Sequence, residues 1–469
     1  MVFSSMLFLW CFLPIILVLY FISSKRFKNI ILLVGSLIFY AWGEPKYILL
    51  MLFSIVINYM VGLLIDRFQD KKKFILVIGI LINLGMLGYF KYFNFGIDII
   101  NRVFTNGSLQ SRSIILPIGI SFYTFQILSY IIDLYRGKIE VQKNILNLAL
   151  YVSFFPQLIA GPIVKYKDIE EQINRRVVTI DLFADGVRRF VYGLSKKVIF
   201  ANNLAFITDS ILKNNIETLN TPIVWLAAIT YTLQIYFDFS GYSDMAIGLG
   251  KMFGFHFSEN FNLPYISQSI TEFWRRWHIS LSTWFKEYLY IPLGGNRKGK
   301  IRQYINLFVV FFATGLWHGA SFNFIAWGLY YGIFLIIEKM FLLKMLQNNK
   351  WKFLNSMYTL LVVIVGWILF RANGLMHAIE LIKLMFSFDF KTIYILLPTY
   401  INARTISIIV LAILLSGPLQ IVFKKLKNHN KLINLYQSKV EFVVIGTLMF
   451  ICISELIASS YNPFIYFRF

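Results

Sequence analysis

Long apolar runs recur throughout the 469 residues of this chain, and they constrain its fold more than any other feature. A helix needs about 20 mostly apolar residues to cross a bilayer. The pattern predicts an all-α, polytopic integral membrane protein with about 11–12 transmembrane helices, plus re-entrant and interfacial helices around a central cavity. Clear candidate spans are 6–22, 30–42, 46–65, 74–93, 114–134, 303–318, 322–340, 354–371, 405–423 and 440–457. Two further segments, 198–213 and 222–250, are less apolar candidates.

The composition excludes the soluble classes of protein. Hydrophobic residues make up 58% of the chain and charged residues 14%, with a mean hydropathy of +0.66. An ordinary soluble domain is about 45–50% apolar and about 25% charged. Residues 1–22 lack a basic leader and a cleavage site of small residues, so we expect a first span and not a signal peptide. Cys11 and Cys452 both lie in apolar runs and indicate no disulfide framework.

The net positive charge of the chain is explained by basic residues in the loops between the predicted spans. Lys and Arg number 45 against 23 Asp and Glu, a formal net charge of +22. Such an excess would indicate nucleic-acid binding in a soluble chain, but in a membrane protein basic residues collect in cytoplasmic loops. We therefore expect no nucleic-acid partner and an extracytoplasmic N-terminus. The basic stretches expected in the cytoplasm are 25–28, 67–73, 136–143, 339–352 and 424–431.

The apolar segment 145–164 interrupts this simple order of spans. Basic residues follow it directly, so a full crossing would place them outside. Pro156 and the Gly161–Pro162 pair break its helical pattern. We expect a segment that re-enters the cytoplasmic side, and backbone of that kind must be buried in protein or line a cavity.

The segment 225–254 is long enough to cross the membrane but carries Asp238 and Asp244. Carboxylates at membrane depth are expensive, and they are usually paired or face water. Two interpretations stay open: a structural network buried between helices, or a role in contact with substrate.

The stretch 264–302 mixes aromatic, basic and helix-breaking residues. Trp274, Trp277 and Trp284 recur at spacings that place them on one face of a helix. We expect an amphipathic helix at the cytoplasmic face, since aromatic belts lie at the membrane interface. The turn at 294–300 that follows is expected to be exposed to the cytosol.

Two of the five histidines are candidates for chemistry. His318 ends the run 303–318, and 16 residues, or about 24 Å of helix, separate it from Arg302. An ionisable side chain at that depth suggests function, and imidazole is the commonest general base near neutral pH. The alternative is a histidine hydrogen-bonded between helices. His278, in WRRWHIS, is the second candidate. His256 is expected at the membrane interface, His377 has no evident partners, and His429 lies in a charged, solvated loop.

Other kinds of site have no support in the sequence. No histidine, cysteine or glutamate spacing completes a metal-ligand set, so we expect no metal. The chain also lacks a nucleophile elbow, a P-loop and a dinucleotide-binding glycine motif.

Seven segments together resemble the membrane-bound O-acyltransferase (MBOAT) family, in particular its bacterial branch of alginate and polysaccharide O-acetylation. They are 116–137, 154–166, 193–205, 236–255, 260–299, 314–332 and the terminal NPFIYFRF. The resemblance covers nearly the whole chain and implies a single membrane-embedded domain, 1–469. Within it we expect N-terminal spans at 1–144, a catalytic core at 145–340 and C-terminal spans at 341–469.

The resemblance implies transfer of an acyl group, most simply acetyl, from a cytoplasmic thioester to an acceptor across a bacterial cell membrane. It implies that His318 is catalytic as the base, with His278 positioning the donor or stabilising charge. No bound cofactor is expected, because acetyl-CoA would be a substrate. The expected partners are a polysaccharide acceptor, membrane lipid and an extracytoplasmic esterase-like acyltransferase. Expected substrate-binding residues are Asp238, Asp244, Trp274, Trp277, Trp317, Lys286, Arg297 and Lys298.

Two other functions stay open. One is D-alanyl transfer to teichoic acid from a carrier protein, a sister activity. The other is a proton-coupled transporter in which Asp238 and Asp244 carry the proton. Transport that survives loss of His318 would distinguish the second from any transferase.

Overall fold

The computed structural model describes residues 1–105, 109–159, 161–391, 393–427 and 433–465. Within these ranges the chain forms α-helices, short 3₁₀ and π-helical turns and connecting segments, and no strand. The predicted all-α class is confirmed. The chain divides into two compact units, one of residues 1–190 with 245–258 and the other of residues 191–244 with 259–469.

The first unit contains mostly apolar helices. Ser36 lies inside it, and its hydroxyl accepts a hydrogen bond of 3.1 Å from the backbone N–H of Phe155. This bond helps to satisfy the backbone of the interrupted segment 145–164, whose described residues are almost all buried. The helices are Leu13–Ile22, Lys28–Gly43, Ile48–Arg67, Lys72–Leu87, Phe93–Ile100, Ile120–Tyr135, Ile145–Ser153, Phe155–Leu158, Tyr166–Arg175 and Ile180–Ser195, the last of which continues into the second unit.

The second unit contains the candidate site residues. Its longest helix, Thr221–Met252, contributes its last residues to the first unit. The other helices are Asn202–Leu212, Ile270–Arg276, Ile279–Phe285, Lys300–His318, Phe322–Ile337, Leu343–Asn348, Lys352–Arg371, Leu375–Met385, Ile393–Tyr400, Ala403–Leu415, Pro418–Lys427 and Ile433–Ala458.

Among the described residues, five helical segments are long and apolar enough to cross a membrane. Three shorter helices are also apolar: Phe8–Ile22, Lys28–Gly43 and Ala403–Leu415. The membrane class is thereby confirmed, whereas the orientation of the chain and its number of crossings stay predictions. The five segments are Ile48–Arg67, Gln69–Phe104, Thr221–Met252, Lys352–Arg371 and Val440–Ala458.

Two predicted spans differ from the observed helices. The helix predicted at 114–134 begins only at Ile120, because Gly119 has a left-handed φ of 78°. The span predicted at 405–423 is two helices, because Pro418 lacks the N–H that would continue the first one. Gly417 marks the break, and a Cβ there would lie 2.4 Å from Cγ2 of Ile266.

The helices Lys300–His318 and Phe322–Ile337 pack against each other at a point where each has a glycine. A Cβ on Gly315 would lie 2.4 Å from the carbonyl oxygen of Phe324, and one on Gly328 would lie 2.3 Å from that of Phe311. No side chain fits at either point, so the two backbones approach closely, as small residues permit between membrane helices. The crossing lies one turn before His318 and therefore fixes the position of that residue.

We expect Gly328→Ala to destabilise the protein by about 1–3 kcal/mol, because its methyl group must force the two backbones apart. The measurement is thermal unfolding in detergent. Gly85→Ala is the matched control, since a Cβ at that helical position meets nothing within 4 Å. Equal unfolding temperatures for the two variants would contradict the close crossing.

Candidate active site

His318 ends its helix inside a group of aromatic rings. The next residue, Gly319, is extended, and the helix Lys300–His318 stops there. The imidazole centroid lies 5.0 Å from the ring of Trp317, 4.9 Å from that of Trp327 and 5.1 Å from that of Phe370. His318 is 8% exposed. The histidine is therefore held in one orientation by rings on three sides.

A small cavity adjoins His318. Its volume of about 10 Å³ has room for about one water molecule. A wider pocket of about 630 Å³ also has Phe370 in its wall, together with the Asp209–Arg371 ion pair. Phe370 therefore borders both spaces. The small cavity is lined by Ile235, Phe239, Trp277, His318, Trp367, Phe370 and Ile465.

The single amphipathic helix predicted within 264–302 is wrong. The structure has two short helices, Ile270–Arg276 and Ile279–Phe285, with a break at Trp277 and His278. His278 has a left-handed φ of 43°. The cause is tertiary, because the loop 260–262 pairs with the backbone on both sides of the break, Asn262 N–H to the Arg276 carbonyl and Ile279 N–H to the Asn260 carbonyl. Trp274, Trp277 and Trp284 are consequently not on one helical face.

The break turns His278 into the protein interior. Its ring meets Phe239 edge-on at 4.5 Å and lies 6.2 Å from the ring of Trp317. The histidine is 1% exposed, and burial lowers the pKa of His278 to about 3. His278 is therefore neutral at physiological pH. Trp317 contacts both histidines, so the two predicted catalytic residues flank one indole.

The predicted tryptophans form part of this aromatic cluster. Trp277 lies 4.8 Å from Trp367, and Trp274 lies 5.6 Å from Trp327. Trp277 also lines the His318 cavity. Trp274, Trp277 and Trp317 are thus brought together around the two histidines, and their contact with substrate stays a prediction.

Asp238 and Asp244 are both in ion pairs. Oδ1 of Asp238 lies 2.7 Å from the ammonium of Lys197, and both side chains are almost completely buried. Oδ2 of Asp238 accepts a hydrogen bond of 3.0 Å from the N–H of Ile465. Oδ2 of Asp244 lies 2.5 Å from the ammonium of Lys196. This is the pairing expected of a buried network, one of the two interpretations, and a substrate-facing role stays untested.

The three predicted basic residues are absent from the lining of the His318 cavity. Lys286, Arg297 and Lys298 are all exposed, and the latter two belong to the turn at 294–300, whose exposure to the cytosol stays a prediction. The helix that follows begins at Lys300, about 27 Å of helix axis from His318. Within the described part of the chain, no group of three or more histidine, cysteine or acidic side chains can hold a metal ion. His429 lies outside the described residues.

Two residues of this site were missed by the sequence reasoning. Lys197 directly precedes the candidate span 198–213, and an ammonium at the start of a span is a signal for a carboxylate partner such as Asp238. Asn260, whose Oδ1 lies 3.2 Å from Nδ1 of His278, gave no comparable signal.

Comparison with known proteins identifies the family of this chain. The family model described as membrane-bound O-acyltransferase matches residues 139–379. A probable alginate O-acetylase of Pseudomonas aeruginosa is 48% identical over 83% of this chain and 75% of its own length. One from Pseudomonas putida is 43% identical over 100% of both chains. A peptidoglycan O-acetyltransferase of Helicobacter pylori is 34% identical over 100% of this chain and 98% of its own. The chain belongs to the membrane-bound O-acyltransferase family and is an acyltransferase.

Proposed function

We propose that this enzyme O-acetylates an extracytoplasmic polysaccharide, taking the acetyl group from a cytoplasmic thioester such as acetyl-CoA. The observation that carries the proposal is the pair of buried histidines on either side of Trp317, in a chain whose similar relatives are named for O-acetylation of alginate and peptidoglycan. The acceptor class rests on those names. The cell membrane of a bacterium is the proposed location.

The chemistry requires one base and one route to each substrate. The oxygen of the acceptor hydroxyl attacks the thioester carbonyl carbon, and His318 takes the hydroxyl proton. The C–S bond breaks as the ester C–O bond forms, and the proton passes from His318 to the departing thiolate. The aromatic walls exclude water, which would otherwise hydrolyse the thioester.

The two substrates are proposed to arrive from opposite ends of the helix Lys300–His318. The exposed turn before it carries Arg297 and Lys298, whose charges attract the phosphates of acetyl-CoA. At the other end, the wider pocket beside Phe370 leads the acceptor toward His318. A side-chain movement of Phe370 would join that pocket to the small cavity. We propose that an extracytoplasmic esterase-like partner completes delivery to the long polymer, whereas a short oligosaccharide enters the wider pocket without it.

D-alanyl transfer is the competing activity within the class. A teichoic acid D-alanyltransferase of Bacillus subtilis is 29% identical over 54% of this chain and 66% of its own length. It is thus more distant than the acetylating relatives, which favours acetyl. The geometry of the two histidines suits either acyl group.

A donor experiment tests the proposal. Purified protein in liposomes, given labelled acetyl-CoA and an oligosaccharide acceptor, should form an O-acetyl ester that mild alkali removes. A D-alanyl carrier protein is the parallel donor and should give no product. Product from the D-alanyl donor alone would overturn the proposed substrate. Transport of an acid without covalent product would overturn the transferase itself.

A further inference from the structure

Three polar groups lie within hydrogen-bond distance of one oxygen of the Asn260 side chain. Its Oδ1 accepts from the backbone N–H of Ser280 at 3.1 Å and from the Ser280 hydroxyl at 2.9 Å. The third neighbour is Nδ1 of His278, at 3.2 Å. Asn260 is 0% exposed, so water does not compete for this oxygen.

The contact with Ser280 settles which amide atom faces the histidine. A backbone N–H can only donate, so the atom of Asn260 that meets it must be the oxygen and not the amide nitrogen. The same oxygen then faces Nδ1 of His278. An oxygen that only accepts requires that Nδ1 carry a hydrogen, because two lone pairs at 3.2 Å would repel each other.

The state of Nδ1 decides the state of Nε2. In a neutral imidazole one ring nitrogen is a donor and the other an acceptor. With the hydrogen on Nδ1, Nε2 carries a lone pair. This atom is buried and has no hydrogen-bond partner among the described residues. The low pKa of His278 agrees with a neutral ring and makes Nε2 a weak proton acceptor but still a hydrogen-bond acceptor.

We propose that Asn260 is a positioning residue that holds His278 as the Nδ1–H tautomer, so that Nε2 accepts a hydrogen bond from a substrate O–H or N–H group. The inference rests on the proposed acetyl transfer for the identity of that substrate. Of the two roles considered for His278, this leaves the positioning of a substrate. A lone pair at Nε2 can accept a hydrogen bond from a substrate O–H or N–H group, but it cannot stabilise the negative charge of an oxyanion. Proton removal is then left to His318.

The first test observes the tautomer directly. Full-length protein labelled with ¹⁵N-histidine is compared by NMR with its His278→Gln variant, which identifies the His278 signals. We expect a neutral ring with the hydrogen on Nδ1 at pH 7. A hydrogen on Nε2, or a charged ring, would overturn the proposal.

The second test changes the partner. Asn260→Leu keeps the approximate shape without an acceptor, and we expect it to abolish the tautomer preference. Its kcat/KM should fall at least about tenfold, the lower range for loss of a residue that orients another. A raised KM for acetyl-CoA would assign the hydrogen bond to an N–H of the donor, and a raised KM for the oligosaccharide would assign it to an acceptor hydroxyl. Asn262→Leu is the matched control, since Asn262 is exposed and bonds through its backbone.

Asn260→Asp keeps the test decisive if the leucine variant does not fold. A carboxylate at that position favours the imidazolium, so we expect NMR to show a charged His278 and transfer to be slow at neutral pH. The rate should recover as pH rises and the ring loses its proton. Among the described residues, the rings that contact His278 are Phe239 and Trp317, whose neighbours in sequence are the titratable groups Asp238, already paired with Lys197, and His318. An unchanged state of the His278 ring in either variant that folds would overturn the role of Asn260, whereas the expected tautomer in a wild-type protein without acetyl transfer would count against the proposed function alone.

Discussion

His318→Ala is expected to lower acetyl transfer at least about 100-fold, because a positioned general base contributes about 10²–10⁴ to the rate. The His318 imidazole lines the small cavity, and the rings of Trp317, Trp327 and Phe370 hold it in a single orientation. The measurement is the rate of labelled acetyl transfer by purified protein in liposomes. Unfolding temperature in detergent is recorded in parallel, so that lost activity is not confused with lost folding.

Two further variants make the result specific. His318→Gln retains a polar side chain of similar volume and should be about as inactive as the alanine variant, since an amide is not a base. His256→Ala makes the same change at an exposed position and should keep normal activity. Retained turnover in His318→Ala would remove His318 as the base and leave the aromatic cluster as a structural feature.

Most of the fold was predictable because apolar runs are local signals. The runs 303–318 and 354–371 correspond to the helices Lys300–His318 and Lys352–Arg371. The break at Pro418 was also present in the sequence, and proline was the signal that should have divided the run 405–423. The break at His278 was different. It depends on backbone hydrogen bonds to the loop 260–262, and no periodicity within 264–302 reports contacts of that kind.

The site residues that the sequence predicts are ionisable side chains in apolar segments. His318 stands out because it ends an apolar run, and Asp238 stands out because it is a carboxylate within a candidate span. Their partners depend on how helices pack. Asn260 lies 18 residues before His278 and is a polar residue in an ordinary loop, so only the folded chain shows that it meets Nδ1. From the sequence alone Asp238 fits a substrate contact as well as an ion pair, because its partner Lys197 lies on a different helical segment.

Asp238→Ala is expected to destabilise the protein by about 3–5 kcal/mol, the cost of leaving one member of a buried ion pair without its partner. The substitution leaves the ammonium of Lys197 with the carbonyl oxygen of Pro463, and it removes the acceptor of the Ile465 N–H. Because Ile465 lines the His318 cavity, acetyl transfer should fall as well. Unfolding in detergent and the transfer rate together measure both effects.

The double variant Lys197→Met/Asp238→Leu separates the charge effect from packing. Replacing a buried ion pair by apolar residues of similar volume is often neutral, so the double variant should recover most of the lost stability. Asp185→Ala breaks the exposed Arg188–Asp185 pair and should lower the free energy of unfolding by less than about 1 kcal/mol.

If Asp238→Ala were as stable as Asp185→Ala, the buried pair would be contradicted. If the double variant were stable but inactive while Lys197→Met alone kept its activity, Asp238 would act on substrate directly, and the network would not be its only role.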